Sequence, residues 1–135
     1  MAYKGYLIKV GSYEISMKKY IKAESYTVYR SITDYDSTRD ANGYLVRNAL
    51  DHQPNKVEWE TPAMLTNVEF AELMRKIAEQ YTIPKERKAR VTLYIPEIDD
   101  YVTQDMYMPD IKPTIYGSYG NELHYNSIRL SFIGY

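Results

Sequence analysis

Hydrophobic and polar residues alternate with a period of two along most of the chain. In residues 56–61, Val57, Trp59 and Thr61 fall on one face, and the charged residues Lys56, Glu58 and Glu60 fall on the other. This alternation is typical of an antiparallel strand with one buried face. The same pattern predicts strands at 6–10, 25–32, 44–50, 56–61, 89–95, 101–108 and 123–133. We therefore expect about seven or eight short antiparallel strands.

One segment has the helical period instead. Thr66 and Glu69 match a capping box, in which the hydroxyl and the carboxylate bond the free amides of the first turn. The apolar residues Phe70, Leu73, Met74 and Ile77 then recur at helical spacing. The pattern predicts a helix over about residues 67–80 with one apolar stripe against a sheet. The expected fold is mainly β, a β-sandwich or partly open barrel with one packed helix, in a single domain spanning 1–135.

A polar segment separates two of the predicted strands. Residues 31–43 contain four Asp or Arg side chains and end in Asn42-Gly43, which is a strong turn dipeptide. We expect an extended loop over 31–43. Its spacing Asp34-x-Asp36-x-Thr38-x-Asp40 is similar to the start of a calcium loop. However, Arg39 stands where the invariant glycine is needed and Leu45 where the bidentate glutamate is needed, so no metal site is expected.

Composition narrows the function classes. The 135 residues include 16 Tyr but 2 Phe, 1 Trp and no Cys, with a formal net charge of -1. The absence of Cys excludes a disulfide framework and thiol chemistry. A near-neutral charge argues against a dedicated nucleic-acid binder, although the basic run 85–90 beside tyrosines leaves that alternative open. No segment approaches the ~20 apolar residues of a membrane span and no secretory signal precedes the first strand, so we expect synthesis in the cytoplasm and no membrane partner.

Catalytic motifs are absent from the sequence. His52 and His124 stand far apart, and Asp99-Asp100 are adjacent residues that a strand would point to opposite faces. The interpretation is a non-catalytic protein with no cofactor, although folding can assemble a Ser–His–Asp site from distant residues, so an enzyme remains the third hypothesis.

The order of features resembles a known family. The segments Arg39-Asp40-Ala41-Asn42-Gly43-Tyr44-Leu45, Val57-Glu58-Trp59, Phe70-Ala71-Glu72-Leu73, 91–95, 107–109 and 129–135 follow one another along nearly the whole chain. This resembles a family of small prophage proteins encoded among tail genes. It is also similar to the N-terminal, tail-tube-like domain of siphophage distal tail proteins.

The resemblance implies a structural component of a bacteriophage tail. Such proteins form hexameric rings around a channel through which DNA passes as cargo, and they contact other tail proteins in the virion. The implied role is a tube-like or distal-tail/baseplate hub adaptor subunit. In such rings the extended loop commonly reaches a neighbour, so the candidate oligomer-interface residues are Tyr35, Asp36, Arg39, Asp40 and Tyr44. A full distal tail protein continues into a second domain beyond the matched region, so we expect a ring or adaptor role rather than host binding.

The tyrosine excess supports assembly on separate grounds. Tyrosine combines a large ring, two rotatable angles and a hydroxyl that tolerates water, and it is enriched at interfaces. Tyrosines fall on both faces of predicted strands, as at Tyr26 and Tyr29, so one core cannot cover them all. Tyrosine is also a good strand former, which would account for its frequency without a partner. The alternative function is a small β-sandwich carbohydrate-binding module that grips a saccharide through exposed tyrosines and Trp59.

Overall fold

The computed structural model describes residues 3–30, 38–47, 51 and 54–135. In these residues the fold is mainly β, as predicted, with twelve strands and two α-helices. The strands are β1 (Ile8–Val10), β2 (Tyr13–Glu14), β3 (Thr27–Arg30), β4 (Thr38–Arg39), β5 (Leu45–Val46), β6 (Asn55–Glu60), β7 (Leu65–Thr66), β8 (Lys88–Ile95), β9 (Asp100–Tyr107), β10 (Ile115–Tyr119), β11 (Glu122–Tyr125) and β12 (Arg129–Gly134). The helices are α1 (Met17–Tyr20) and α2 (Asn67–Ala78), and 3-10 turns cover Ala23–Ser25 and Pro84–Glu86.

The strands form three antiparallel sheets. The main sheet has seven strands in the order β2-β1-β8-β9-β12-β6-β3. A second sheet has the order β10-β11-β7 and runs directly into α2, while β4 and β5 pair only with each other among the described strands. Strands distant in sequence are therefore neighbours in space, as where β12 lies between β9 and β6.

One hydrophobic core joins the main sheet to α2. Alternate side chains of the sheet point inward, including Val57, Trp59, Val91, Leu93, Leu130 and Phe132, and α2 contributes Phe70, Leu73 and Ile77. The capping box begins the helix as predicted, because the Thr66 hydroxyl accepts a hydrogen bond from the Glu69 amide at 3.2 Å and the Thr66 amide donates to Glu69 Oε1 at 3.2 Å. The predicted sandwich-like β fold with a helix packed on it is confirmed.

The structure divides one of the predicted strands into two. The predicted strand 123–133 is two strands in different sheets, since β11 ends at Tyr125 and β12 begins at Arg129. Between them the Asn126 amide donates to the Thr114 carbonyl at 2.9 Å and the Ile128 amide donates to the Thr61 hydroxyl at 2.9 Å. These hydrogen bonds direct the chain from the second sheet into the main sheet. They join residues that are distant in the sequence, so the alternating pattern does not predict them.

Strands also occur where none was predicted. The segment between the predicted strands 101–108 and 123–133 includes β10, whose pairing with β11 compensates for the low strand preference of Gly117. The predicted extended loop 31–43 includes β4, while residues 31–37 lie outside the described residues. Of the predicted strand 44–50, the structure describes β5 within residues 44–47. Strands of two residues are too short to show a period, so sequence patterning misses them.

Candidate assembly surface

The tyrosines divide into buried, bonded and exposed groups. Tyr6 and Tyr20 are buried in the core region. Six others expose more than two fifths of their surface: Tyr3, Tyr29, Tyr44, Tyr116, Tyr119 and Tyr135. The expectation that one core cannot cover all tyrosines is confirmed, and the exposed members indicate where a partner would have apolar area to bury.

A linked group of tyrosines stabilises one end of the main sheet from within the chain. The Tyr101 hydroxyl donates to the Tyr6 carbonyl at 2.6 Å and accepts from the Lys4 amide at 2.9 Å. The rings of Tyr6 and Tyr101 lie 4.9 Å apart, and those of Tyr94 and Tyr101 lie 5.5 Å apart in an edge arrangement. These tyrosines fasten the N-terminal segment to β8 and β9, so part of the excess is structural.

The hydroxyl of the half-buried Tyr26 has the same role. It donates to the Tyr94 carbonyl at 2.7 Å, and burial raises the pKa of Tyr26 well above its ordinary value.

Tyr135 is held at the other end of the sheet. Its hydroxyl donates to Glu86 Oε1 at 2.7 Å, which raises the pKa of Tyr135 to about 12, and the Lys88 ammonium lies 4.6 Å from the centre of its ring.

The hairpin formed by β4 and β5 carries three of the five predicted interface residues. Asp40 accepts hydrogen bonds from the amides of Asn42 at 2.9 Å and Tyr44 at 3.0 Å, and the Arg39 guanidinium donates to the Gly43 carbonyl at 2.9 Å. Gly43 has φ +85°, a conformation that favours glycine. Arg39 and Asp40 therefore shape the turn, and they present Tyr44 with 72% of its surface exposed. Tyr35 and Asp36 lie outside the described residues.

A second apolar hairpin was not predicted. β10 and β11 project Ile115, Tyr116 and Tyr119, which are 59%, 59% and 53% exposed. The available indication was the run Ile115-Tyr116-Gly117-Ser118-Tyr119, which contains three good strand formers and no charge. The flanking Pro113 and Gly120 favoured a loop instead.

A carboxylate on the outer face of the main sheet is held by two cations. Glu58 bonds the Lys56 ammonium at 2.9 Å and the Arg129 guanidinium from the neighbouring strand β12. These hydrogen bonds, the one from Lys56 first, lower the pKa of Glu58. The side chain is 12% exposed, so solvent screens this cluster less than an open surface pair.

Other sequence candidates lie in structural positions. Trp59 is fully buried and stacks on Phe132 with ring centres 6.0 Å apart, so the expected contact between Trp59 and a saccharide is wrong. His124 lies 4.9 Å from the Tyr119 ring and 3.6 Å from Glu122. His52 lies outside the described residues. Asp99 occupies the left-handed region in the β8–β9 turn with φ 47°, and Asp100 begins β9.

The basic run 85–90 is divided between a turn and a strand. Lys88 lies over the Tyr135 ring, Arg90 is 3.5 Å from Asp105, and Arg87 is 3.6 Å from Asp110. The described residues contain no group of three or more His, Asp or Glu placed to hold a metal ion, and Asp34 of the acidic segment lies outside them. None of the described helices is long and apolar enough to cross a membrane.

Comparison with protein families shows which family the chain belongs to. It belongs to a family of unknown function, DUF6711, whose model matches residues 1–135. A search of curated proteins finds no match. Among solved structures, the chain is similar to a protein of the virion of a native gene transfer agent (GTA) particle, with a TM-score of 0.52 and 16% sequence identity. The match covers 100% of this chain and 94% of that chain. At this identity the similarity establishes a shared fold.

Proposed function

We propose that this protein is a non-catalytic structural subunit of a phage-like particle, made in the host cytoplasm and incorporated into the virion. The observation that carries the proposal is the end-to-end similarity of its fold to a chain of a gene transfer agent virion. The similarity spans nearly the whole of both chains, so it concerns complete architectures rather than a shared motif. Fold alone does not define function, and the surface supplies the second argument.

Exposed apolar side chains support an assembling subunit. Half of the large exposed hydrophobic side chains of the described residues lie on the β4–β5 and β10–β11 hairpins, at Tyr44, Leu45, Val46, Ile115, Tyr116 and Tyr119. Monomeric proteins rarely leave such clusters open, and large amphipathic tyrosines are the side chains that interfaces favour.

The finer proposal follows from the resemblance to tail proteins. The subunit forms a hexameric ring in a tail, as a tube-like or distal-tail/baseplate hub adaptor component. DNA passes through the ring as cargo, and other tail proteins dock on it. The predicted interface residues Tyr35, Asp36, Arg39, Asp40 and Tyr44 belong to the segment that reaches the neighbouring subunit.

The test is the oligomeric state of the purified full chain. We expect mass photometry and light scattering to give a discrete species of six subunits, and negative-stain images to show six-fold rings. Replacing Tyr44 by Ser should raise the dissociation constant of the ring at least about tenfold, because truncating a tyrosine at an interface hot spot costs more than ~1.4 kcal/mol. Tyr29→Ser is the matched control, since Tyr29 is an exposed tyrosine on β3 and belongs to neither hairpin.

Two outcomes would contradict the proposal. One is a strictly monomeric protein at high concentration, both alone and when mixed with the products of neighbouring tail genes. The other is hydrolytic or saccharide-binding activity in a protein that never assembles.

A further inference from the structure

The main sheet returns on itself, so that its last strand lies close to its first ones. β3 ends the strand order, four positions from β8, which would be about 19 Å away in a flat sheet. However, the hydroxyl of Tyr26, directly before β3, donates to the carbonyl of Tyr94 in β8 at 2.7 Å. It also lies 3.4 Å from the carbonyl of Leu7, directly before β1. The sheet is therefore rolled into a partly open barrel.

β3 is held differently on its two sides. Among the described strands it pairs with β6 alone, and the Ser25 hydroxyl extends this ladder by accepting from the Glu60 amide at 2.8 Å. On the side that faces β8 the contacts are made by side chains instead. They are the hydrogen bond of the Tyr26 hydroxyl and the ion pair of Arg30 with Glu97 in the β8–β9 turn, at 4.0 Å. We call these two contacts the seam.

The Tyr26 hydroxyl is the stronger contact of the seam. The Tyr94 amide donates to the Leu7 carbonyl at 2.9 Å, and the Tyr94 carbonyl accepts from Tyr26. Tyr26 is half-buried, so removal of its hydroxyl leaves this carbonyl without a donor where water has limited access. Arg30 and Glu97 are both exposed, so solvent weakens their attraction.

β3 has few other contacts that keep it in the sheet. Of its four residues only Val28 is half-buried and packs against the core, while the other three are exposed. In β8, by contrast, every second residue is buried. Segments with few buried apolar contacts open locally at a lower free energy than the whole fold. β3 is therefore the strand of the barrel wall that is best placed to open by itself.

We propose that β3 is a strap that closes the barrel, fastened by the Tyr26 hydroxyl, and that it opens as one unit while the other strands of the main sheet stay paired. β3 leads directly into the segment 31–43, which the proposed function places in contact with a neighbouring subunit. The closed strap fixes where that segment leaves the barrel. This consequence rests on the proposed function, whereas the opening is a property of a single chain.

Hydrogen exchange of the full chain, followed by mass spectrometry, measures the opening. Tyr26→Phe keeps the ring and removes the hydroxyl, so exchange of the β3 amides should accelerate at least about tenfold, and that of the β8–β9 ladder less than about twofold. Tyr29→Phe is the matched control, because it removes a hydroxyl from an exposed position of the same strand. It should leave both rates within about twofold of those of the unsubstituted protein.

A cross-link across the seam gives a second measurement. The chain contains no Cys, so Arg30→Cys and Glu97→Cys in the Tyr26→Phe background place one thiol on each side of the seam. A short bismaleimide should join the two thiols within one chain and return β3 exchange to within about threefold of the rate of the unsubstituted protein. The same variant with both thiols blocked by N-ethylmaleimide is the control and should keep the fast exchange.

The outcomes separate the strap from the function to which it contributes. Equal acceleration in β3 and in the β8–β9 ladder would show that Tyr26 stabilises the whole fold, and would overturn the strap. Unchanged exchange in Tyr26→Phe, or fast exchange that persists after cross-linking, would also overturn it. A chain that opens at β3 but never assembles would contradict the proposed function and leave the strap standing. Rings formed by a chain whose β3 shows no separate opening would do the reverse.

Discussion

Two pairs of tyrosines illustrate two roles of this residue type in the protein. Tyr26 and Tyr101 donate their hydroxyls to backbone carbonyls at 2.7 and 2.6 Å, which fixes them within the chain. Tyr44 and Tyr116 instead expose well over half of their surface on hairpins. The composition shows that tyrosine is in excess. Only the position of each tyrosine in the structure shows whether it stabilises its own chain or is exposed to a partner.

At the same scale, Glu58 is the carboxylate with the clearest effect on stability. Lys56 and Arg129 hold its pKa below its ordinary value of 4.5, so folded Glu58 stays ionised where the unfolded residue takes up a proton. The stabilisation is therefore present above about pH 4.5 and is lost as the pH falls through the lower folded pKa.

Glu58→Gln tests this linkage. We expect a loss of about 1–2 kcal/mol in the free energy of unfolding at pH 7, because the amide lacks the carboxylate's charge and keeps only one acceptor oxygen for the two cationic donors, Lys56 and Arg129. Urea unfolding between pH 3 and 7 should show the difference between the two proteins shrinking below about pH 4.5. The control Glu24→Gln removes an exposed carboxylate 3.5 Å from Lys22 and should change stability by less than about 0.5 kcal/mol. A difference that is constant across the whole pH range would contradict the linkage.

At the scale of elements, patterns within one strand or helix were predictable and connections between elements were not. The helix was found from Thr66, Glu69 and its apolar stripe, since a capping box and a 3.6-residue period are local properties. The division of 123–133 was missed because the alternation continues through Ile128 while hydrogen bonds from Asn126 and Ile128 transfer the chain between sheets. β10 was missed because Gly117 and the flanking turn residues weaken its pattern.

The turn of the β4–β5 hairpin provides a prediction at this scale. Asp40→Ala removes the acceptor for two backbone amides, so amide hydrogen exchange at Asn42 and Tyr44 should accelerate about tenfold or more. The global free energy of unfolding should change by less than about 1 kcal/mol, because these bonds are exposed.

Asp40→Asn is the matched variant, since it retains one acceptor oxygen and should keep most of the protection. If the hairpin lies at the subunit interface, as the proposed function has it, Asp40→Ala should also weaken assembly more than Asp40→Asn does. Exchange rates in Asp40→Ala equal to those of the unsubstituted protein would show that the Asp40 side chain does not organise the turn.

At the scale of the whole molecule, the sheets leave two apolar hairpins uncovered. The main sheet encloses its core against α2, whereas the exposed side chains collect on β4–β5 and β10–β11. Tyr125 of β11 packs against this core, 5.6 Å from the Phe70 ring, so the β10–β11 hairpin is attached to the core while its exposed residues stay available to a partner.

Tyrosine labelling measures this directly. Mass spectrometry after nitration should show that modification of Tyr44, Tyr116 and Tyr119 falls several-fold as the protein concentration rises through the assembly transition. Tyr29 provides the reference, because it is exposed on the main sheet and belongs to neither hairpin. Unchanged labelling of all four tyrosines in assembled protein would place the interface elsewhere.

The sequence by itself determined the β class, the capped helix and the inward faces of the strands, because the alternation of side chains and the capping box are properties of neighbouring residues. It also indicated the hairpin turn at Asn42-Gly43. Only the tertiary structure decided the strand order, the division of the last strand between two sheets and the exposure of β10. Those features depend on pairing between residues far apart in sequence. The local pattern of a strand does not determine which other strand it pairs with.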